Sequence, residues 1–424
     1  MKFNVFKFGG ASVKNAESVR NVGSIIGRVQ NSNLLVIVSA MNKTTNELEE
    51  AHSFYEENDK EKFLSKLNSI KEFHLNIIRS LFDNLNQKIL EEFEFLFSNI
   101  EAKIDLPKSN LKSQNYDSIV SLGEILSTFI IDQYLKSQHI NSRWIDARDF
   151  IKTDDKFQEA NVDWIETSKK ISPLIHSEKE NQILISQGFI ASSLSGHTVT
   201  LGREGSDFSA AIFAYCLNAT SVTIWKDVPG MLNADPKYFK DTLLLEKISF
   251  REAIELSYYG ASVIHPKTIK PLQNKKIPLY VKSFLDIESK GTTIQESSIN
   301  DSRIPSYIFK FNQILFTISP VDFSFLIEEN LSDIFLRLSS INAKINLMQN
   351  SALSFSILLD SDKVDPERLR EVFKNKYIVK YNEGLELITI RHYDDFTIND
   401  VTKNKQIIVQ QRTRSTARFV VKPI

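Results

Sequence analysis

Cysteine is almost missing from this chain: Cys216 is the single one among 424 residues. One thiol excludes an intrachain disulfide and any zinc site built on several cysteines, and it suits a reducing compartment. Long apolar runs are missing too. Nothing approaches the roughly 20 consecutive apolar residues that span a bilayer. The opening MKFNVFKFGG is interrupted by Asn4 and Lys7 before it reaches signal-peptide length. The expectation is a cytoplasmic protein with no membrane partner. Nor is there an excess of charge of one sign: 52 Lys and Arg face 53 Asp and Glu, a formal net charge of −1. That balance removes the global electrostatic case for nucleic acid as the main partner. The seven histidines form no close group with Cys or Asp, so neither a metal cage nor a nucleophilic triad stands out. Both familiar nucleotide fingerprints, G-x-x-x-x-G-K-[ST] and G-x-G-x-x-G after a strand, are also lacking.

What is present is the composition of a folded protein, 42% hydrophobic and 25% charged. At roughly 150 residues per domain the length allows about three units. Residues 4–8 read as a strand ending in Gly9-Gly10, and a helix follows with Asn15 as N-cap and Val19, Val22, Ile25, Ile26 and Val29 on one face. Residues 34–38 read as a strand buried on both faces. Residues 47–104 contain no Pro or Gly and read as helices inserted between sheet elements. Helical spacing of apolar residues over 117–135 puts Glu124 on a largely buried helix, where a carboxylate needs a reason. Strand candidates at 143–145, 182–186, 198–201 and 221–225 alternate with helices at 162–175 and 207–217, which predicts an α/β sheet with ligands at the carboxyl ends of its strands. After Gly291 the pattern becomes βαββαβ: strands at 315–319, 344–348, 353–359 and 377–381, helices at 324–340 and 366–373. A second, shorter version uses 385–391, 399–403, 406–410 and 418–421. Residues 296–305 form the best boundary.

Two glycine loops carry the chemistry. Lys7 stands near the end of the first strand, and Gly9 and Gly10 offer backbone N–H groups to a polyanion, although a tight turn explains the same residues. Leu201-Gly202-Arg203-Glu204-Gly205-Ser206-Asp207 leaves a strand and enters a helix whose amides favour phosphate; Asp207 either caps that helix or orients the lysine. Together they suggest phosphoryl transfer by positioning and charge stabilisation. WKDVPGMLNADPK at 225–237 is either an ordinary Pro/Gly turn or a charged loop beside that site. His265-Pro266 begins a helix.

Taken together these segments resemble the aspartokinases of the amino-acid kinase family, over essentially the whole chain. KFGGASV at 7–13 is similar to the family's KFGG[TS]SV opening, and SLGEILST at 121–128 to its S-x-G-E helix. Residues 188–207 resemble GFIG…TTTLGRGGSD, residues 225–237 W-T-D-V-P-G…T-D-P-R, and GASVIHPKT at 260–268 GAKVLHP. The resemblance implies ATP-dependent phosphorylation of the β-carboxylate of L-aspartate to β-aspartyl phosphate, with Mg2+ bound mainly through phosphates. It implies Lys7 and Asp207 as catalytic residues, Lys7 bridging the transferring phosphoryl group and Asp207 orienting it. Gly9, Gly10, Ser12, Gly205, Lys226, Asp227, Lys237 and Ser262 fall on the ATP side. Ser39, Thr45, Phe189, His197, Thr198 and Arg203 fall on the substrate side, with Glu124 facing the substrate ammonium. His197 stands where many relatives carry a substrate-gripping arginine, and Arg203 is one replacement. Leu232 replaces a tyrosine and Ser262 a lysine near the nucleotide, with Lys267 a candidate substitute for the latter. The tail resembles paired ACT modules. Expected boundaries are 1–298 for the α/β catalytic domain, with a helical insertion at about 47–104, then 314–383 for one module and 303–313 plus 384–424 for the other. A homo-oligomer through the modules and no appended homoserine dehydrogenase are expected. Asn346 and Ala352 replace the two acids of a lysine-sensing pattern, so lysine should inhibit poorly. A kinase for another acidic amino acid and a catalytically weak amino-acid sensor are the alternatives.

Overall fold

The computed structural model describes residues 2–29, 32–83, 86–105, 108–176, 182–261, 263–322 and 324–424. The chain forms two compact units. Met1–Met231, Leu244–Ile254 and Val263–Asn300 make one, and Leu232–Leu243, Glu255–Ser262 and Asp301–Ile424 make the other.

In the first unit the continuous apolar runs become strands of an eight-stranded sheet. Its order is Ser142–Ile145, Ile183–Gln187, Asn33–Val38, Phe3–Phe8, Ser221–Lys226, Leu279–Ser283, Thr292–Gln295 and Lys247–Ser249. The first six strands are mutually parallel, and Thr292–Gln295 runs antiparallel to Leu279–Ser283. Register brings four strand ends level: Phe8 pairs with Val38 and Trp225, and Val38 with Gln187. The residues that follow these ends, Gly9, Ser39, Gly188 and Lys226, therefore lie along one edge, where α/β sheets bind ligands. Asn15 caps the helix Ala16–Gly27 by accepting from the Ser18 N–H at 2.9 Å. The insertion folds as the helices Thr44–Glu56, Lys60–Leu81 and Gln87–Glu101, whose apolar faces bury Phe63, Leu67, Ile70, Phe93 and Phe97. His74 is fully buried among them. Its Nδ1 meets the Ile70 carbonyl at 2.8 Å, and burial lowers its pKa to about 4. The single helix expected over 117–135 is two, Lys112–Val120 and Leu122–Ser137, which meet at Ser121. A smaller sheet of Lys152–Thr153, Ile190–Ser193 and Thr198–Thr200 stands beside the main one.

The second unit contains an antiparallel six-stranded sheet ordered Leu347–Asn350, Phe355–Asp360, Ser306–Pro320, Tyr377–Arg391, Thr416–Pro423 and Lys405–Arg412. The segments read as separate short strands at 306–310 and 315–319 are one 15-residue strand, as are those at 377–381 and 385–391. Register shifts between Lys310 and Leu315 mark where one α+β module passes into the next. Each module packs its own core: Phe316, Ile334, Ile357 and Phe373 in one, Ile388, Ile398, Phe419 and Val421 in the other. The helix expected over 324–340 begins at Glu328, because Ile327 is still extended at φ −95°, ψ 177°. The strand expected at 344–348 is shifted to Leu347–Asn350.

Candidate active site

At the strand ends of the first unit lies a cavity of about 570 Å³. Lys7, two residues before the double glycine, points its Nζ to within 2.6 Å of Asp207 Oδ1, and Lys226 Nζ is 3.5 Å from Oδ2. Lys226 also donates to the Val263 carbonyl at 2.5 Å. Asp207 is completely buried in the first turn of the helix Gly205–Leu217, whose N-cap is Glu204. It is therefore a buried ion-pair partner and not the cap. Burial pushes its pKa up, but the ammonium groups of Lys7 and Lys226 outweigh burial and hold it below the ordinary carboxylate value.

The other end of the cavity behaves oppositely. Glu124 is 3% exposed and its Oε1 accepts from the Ala40 N–H at 3.2 Å, while Oε2 has no hydrogen-bond partner. Burial raises its pKa to about 8, against the weaker pull of Lys7. Close approach makes this contact possible: a Cβ on Gly123 would lie 2.8 Å from the Ala40 Cβ, so only glycine lets the helix Leu122–Ser137 come this near. Gly10 acts likewise in the turn after the first strand, where a Cβ would meet the Ala40 carbonyl oxygen at 2.8 Å and the Asn42 carbonyl oxygen at 2.9 Å.

Of the residues expected at the site, Lys7, Ser39, Thr45, Glu124, Phe189, Arg203, Gly205 and Asp207 line this one cavity. Gly9 packs against Lys7, 3.4 Å separating a built Cβ from Nζ, and Ser12 is buried in the 3-10 turn Gly10–Val13. Asp227 is exposed at the strand end. His197 and Thr198 are not among the lining residues. His197 Nδ1 lies 3.1 Å from Gln114 Nε2, and Thr198 accepts from Arg148 at 3.3 Å. Lys237 belongs to the second unit, where it is exposed, and Ser262 lies outside the described residues. Lys267 turns elsewhere: it donates to the Leu201 carbonyl at 3.0 Å and lines a separate cavity with Trp164 and Phe208.

Sequence reasoning missed part of the wall. Tyr116 and Glu49 line the cavity joined by a 2.6 Å hydrogen bond, and burial followed by that bond pushes the phenol pKa up. Thr200 lines it rather than Thr198. Asp117 holds this wall in place, accepting from the Thr200 hydroxyl at 2.7 Å, the Thr200 N–H at 3.0 Å and the Gln158 N–H at 2.9 Å. These partners are 83 and 41 residues away, beyond any local pattern. Glu204 had a local signal, because it stands at the third position of the G-R-G-G run in the motif its loop resembles, where the motif has glycine.

Residues 2–283 match the model of the Amino acid kinase family. The chain belongs to that family. It is similar to the lysine-sensitive aspartokinase 3 of Escherichia coli (strain K12), with 30% identity over 397 residues that cover 91% of this chain and 86% of the relative. This amino acid kinase is thereby placed among the aspartokinases. A bifunctional aspartokinase/homoserine dehydrogenase of Buchnera aphidicola subsp. Acyrthosiphon pisum (strain APS) is 30% identical over 393 residues, covering 90% of this chain and 47% of that relative. The fold is similar to the crystal structure of E. coli aspartokinase III in complex with aspartate and ADP (R-state): TM-score 0.80, 27% identity, 99% of this chain and 96% of that one covered.

Proposed function

We propose that this chain catalyses the ATP-dependent phosphorylation of the β-carboxylate of L-aspartate, giving β-aspartyl phosphate and ADP, the first step of amino-acid biosynthesis from aspartate. The observation that carries this reading is one cavity holding two buried carboxylates of opposite character, Asp207 tied to two lysines and Glu124 with no cation on its free oxygen. Glu124 receives the substrate ammonium, which supplies the charge its site lacks. Ser39, Thr45 and Phe189 frame the substrate, and Arg203, which lines the cavity, is the cation available to its carboxylate in place of His197. An oxygen of the β-carboxylate attacks the γ-phosphorus and the bond to the ADP oxygen breaks. Negative charge on the transferring group is met by Lys7, oriented by Asp207, by Lys226, and by the amides at Gly9, Gly10 and the helix start at Gly205. Such preorganised donors act without a covalent intermediate.

Mg2+ enters with the nucleotide. The cation is carried mainly by the nucleotide phosphates, as Mg2+ commonly is in phosphoryl-transfer sites. We assign 1–298 to catalysis, and 314–383 and 303–313 plus 384–424 to the two ACT-like modules. The modules join copies of the chain, since Leu347–Asn350 ends the six-stranded sheet with an open edge and Met348 half-exposed. No helix of the described residues is long and apolar enough to cross a membrane, and the lone, buried Cys216 fits a cytoplasmic setting.

Incubation with ATP, Mg2+, L-aspartate and hydroxylamine tests the activity. Aspartyl hydroxamate should form with aspartate and not with glutamate. Aspartate binding without hydroxamate would contradict the proposal and favour a sensor.

A further inference from the structure

Glu204 is the acidic residue of this cavity whose backbone is strained. It sits at φ 56°, ψ 25°, a left-handed conformation that favours glycine. Its neighbours pin it there. The Glu204 carbonyl accepts from the Phe208 N–H at 3.1 Å to open the helix, and the Gly205 N–H closes the turn onto the Gly202 carbonyl at 2.9 Å. So fixed, the residue lines the cavity with Asp207 and Lys7, and the charges of Asp207, Lys226 and Lys7 act on its carboxyl. Glu159 and Arg203 complete the charged groups at this end, with Glu49 and Glu124 further off on the cavity wall. The two ammonium groups paired with Asp207 therefore also feel a second carboxyl group.

We propose that Glu204 sets nucleotide affinity, its carboxyl competing with the terminal phosphates for Lys7 and Lys226. The proposal rests on the phosphoryl-transfer reading of the cavity. Burial and then the Asp207 carboxylate raise the Glu204 pKa, while Lys226 and Lys7 oppose the rise. An arriving phosphate draws these lysines to itself and adds negative charge beside Glu204, so its carboxyl binds a proton more readily. Nucleotide binding is then coupled to proton uptake at this side chain.

The test is calorimetric titration of the whole chain with ADP and Mg2+ at pH 8, in two buffers of different ionisation enthalpy. Wild type is compared with Glu204→Gln and Glu204→Gly. Glycine accepts the left-handed conformation, so the second variant keeps the test decisive should the first fold poorly. Both variants should bind ADP roughly tenfold more tightly, because a like charge near the phosphates is gone. The wild type should take up more protons on binding than either variant, an effect that relief of backbone strain alone would not produce. Affinity that is unchanged or weaker in the folded variants, or proton uptake in them equal to that of the wild type, overturns the proposal. Hydroxamate formation by the wild type tests the reading of the site separately. Unchanged ADP affinity in the variants of an active enzyme would therefore refute only the role of Glu204.

Discussion

The two ends of the cavity bury one carboxylate each and treat them in opposite ways. Asp207 has Lys7 at 2.6 Å and Lys226 at 3.5 Å and stays ionised despite complete burial. Glu124 has one backbone N–H and an idle oxygen, and its pKa rises to about 8. Groups of the same chemistry pushed apart by their surroundings mark different roles. The Asp207 end is already neutralised within the protein and serves to hold cations in place. The Glu124 end is left short of one positive charge, and in the proposed reading it takes the cationic group that the substrate brings.

Breaking the compensated end should have the largest effect. Lys7→Ala removes the cation nearest the transferring phosphoryl group, and turnover in the hydroxamate assay should fall by about a thousandfold or more. Lys226 remains beside Asp207, so the circular dichroism spectrum should stay that of the wild type. Activity within a few-fold of wild type would remove Lys7 from the mechanism. At the uncompensated end, Glu124→Gln keeps the shape and deletes the charge, and the KM for aspartate should rise roughly a hundredfold. Stability should move the other way. The unfolded chain releases the Glu124 proton near 4.5 and the unliganded fold not until about 8, so the wild type loses stability as pH rises through that window. At pH 8 this loss is on the order of 5 kcal/mol, and the glutamine variant, measured by urea denaturation, should escape it.

Much of this contrast was legible in the sequence, and the reasons differ by element. The run at 4–8 closed by two glycines, and Asn15 followed by apolar residues at helical spacing, are local patterns, and the fold keeps them. The acid at Glu124 in an otherwise apolar helix was also visible. Its free oxygen was not, because that depends on how closely Gly123 lets the helix approach Ala40. Asp207 was readable as an acid near a helix start. Whether it capped the helix or paired with lysine was decided by tertiary packing that sets side by side two strands whose paired residues are 217 apart in the chain, as the bond from Ser221 to Asn4 shows. In the tail, the shared long strands read as separate pieces because the bulge at 310–315 interrupts their alternation.

The helical insertion offers a smaller effect outside the cavity. His74 is buried neutral, so the folded protein binds its proton only near 4 whereas the unfolded chain binds it near 6.5. Stability should fall as pH drops through that interval, by up to an order of 3 kcal/mol. His74→Leu should flatten this part of the urea-midpoint profile, and an unchanged profile would show that the imidazole is not the group responsible. The smallest expected response is to lysine. Asn346 accepts from Lys310 at 2.8 Å and donates to Gln313 at 2.8 Å and Asp360 at 2.7 Å, so it is committed to neighbours in the chain and brings no charge to a cationic effector. Micromolar lysine should leave turnover unchanged, and inhibition at that concentration would contradict this.

The contrast between the two carboxylates is tested most directly by kcat/KM for aspartate as a function of pH. In the wild type it should rise as Glu124 ionises through about 8, and in Glu124→Gln that step should vanish while the low residual activity remains measurable. The same step in both enzymes, or none in the wild type, would contradict the assignment of Glu124 to the substrate ammonium.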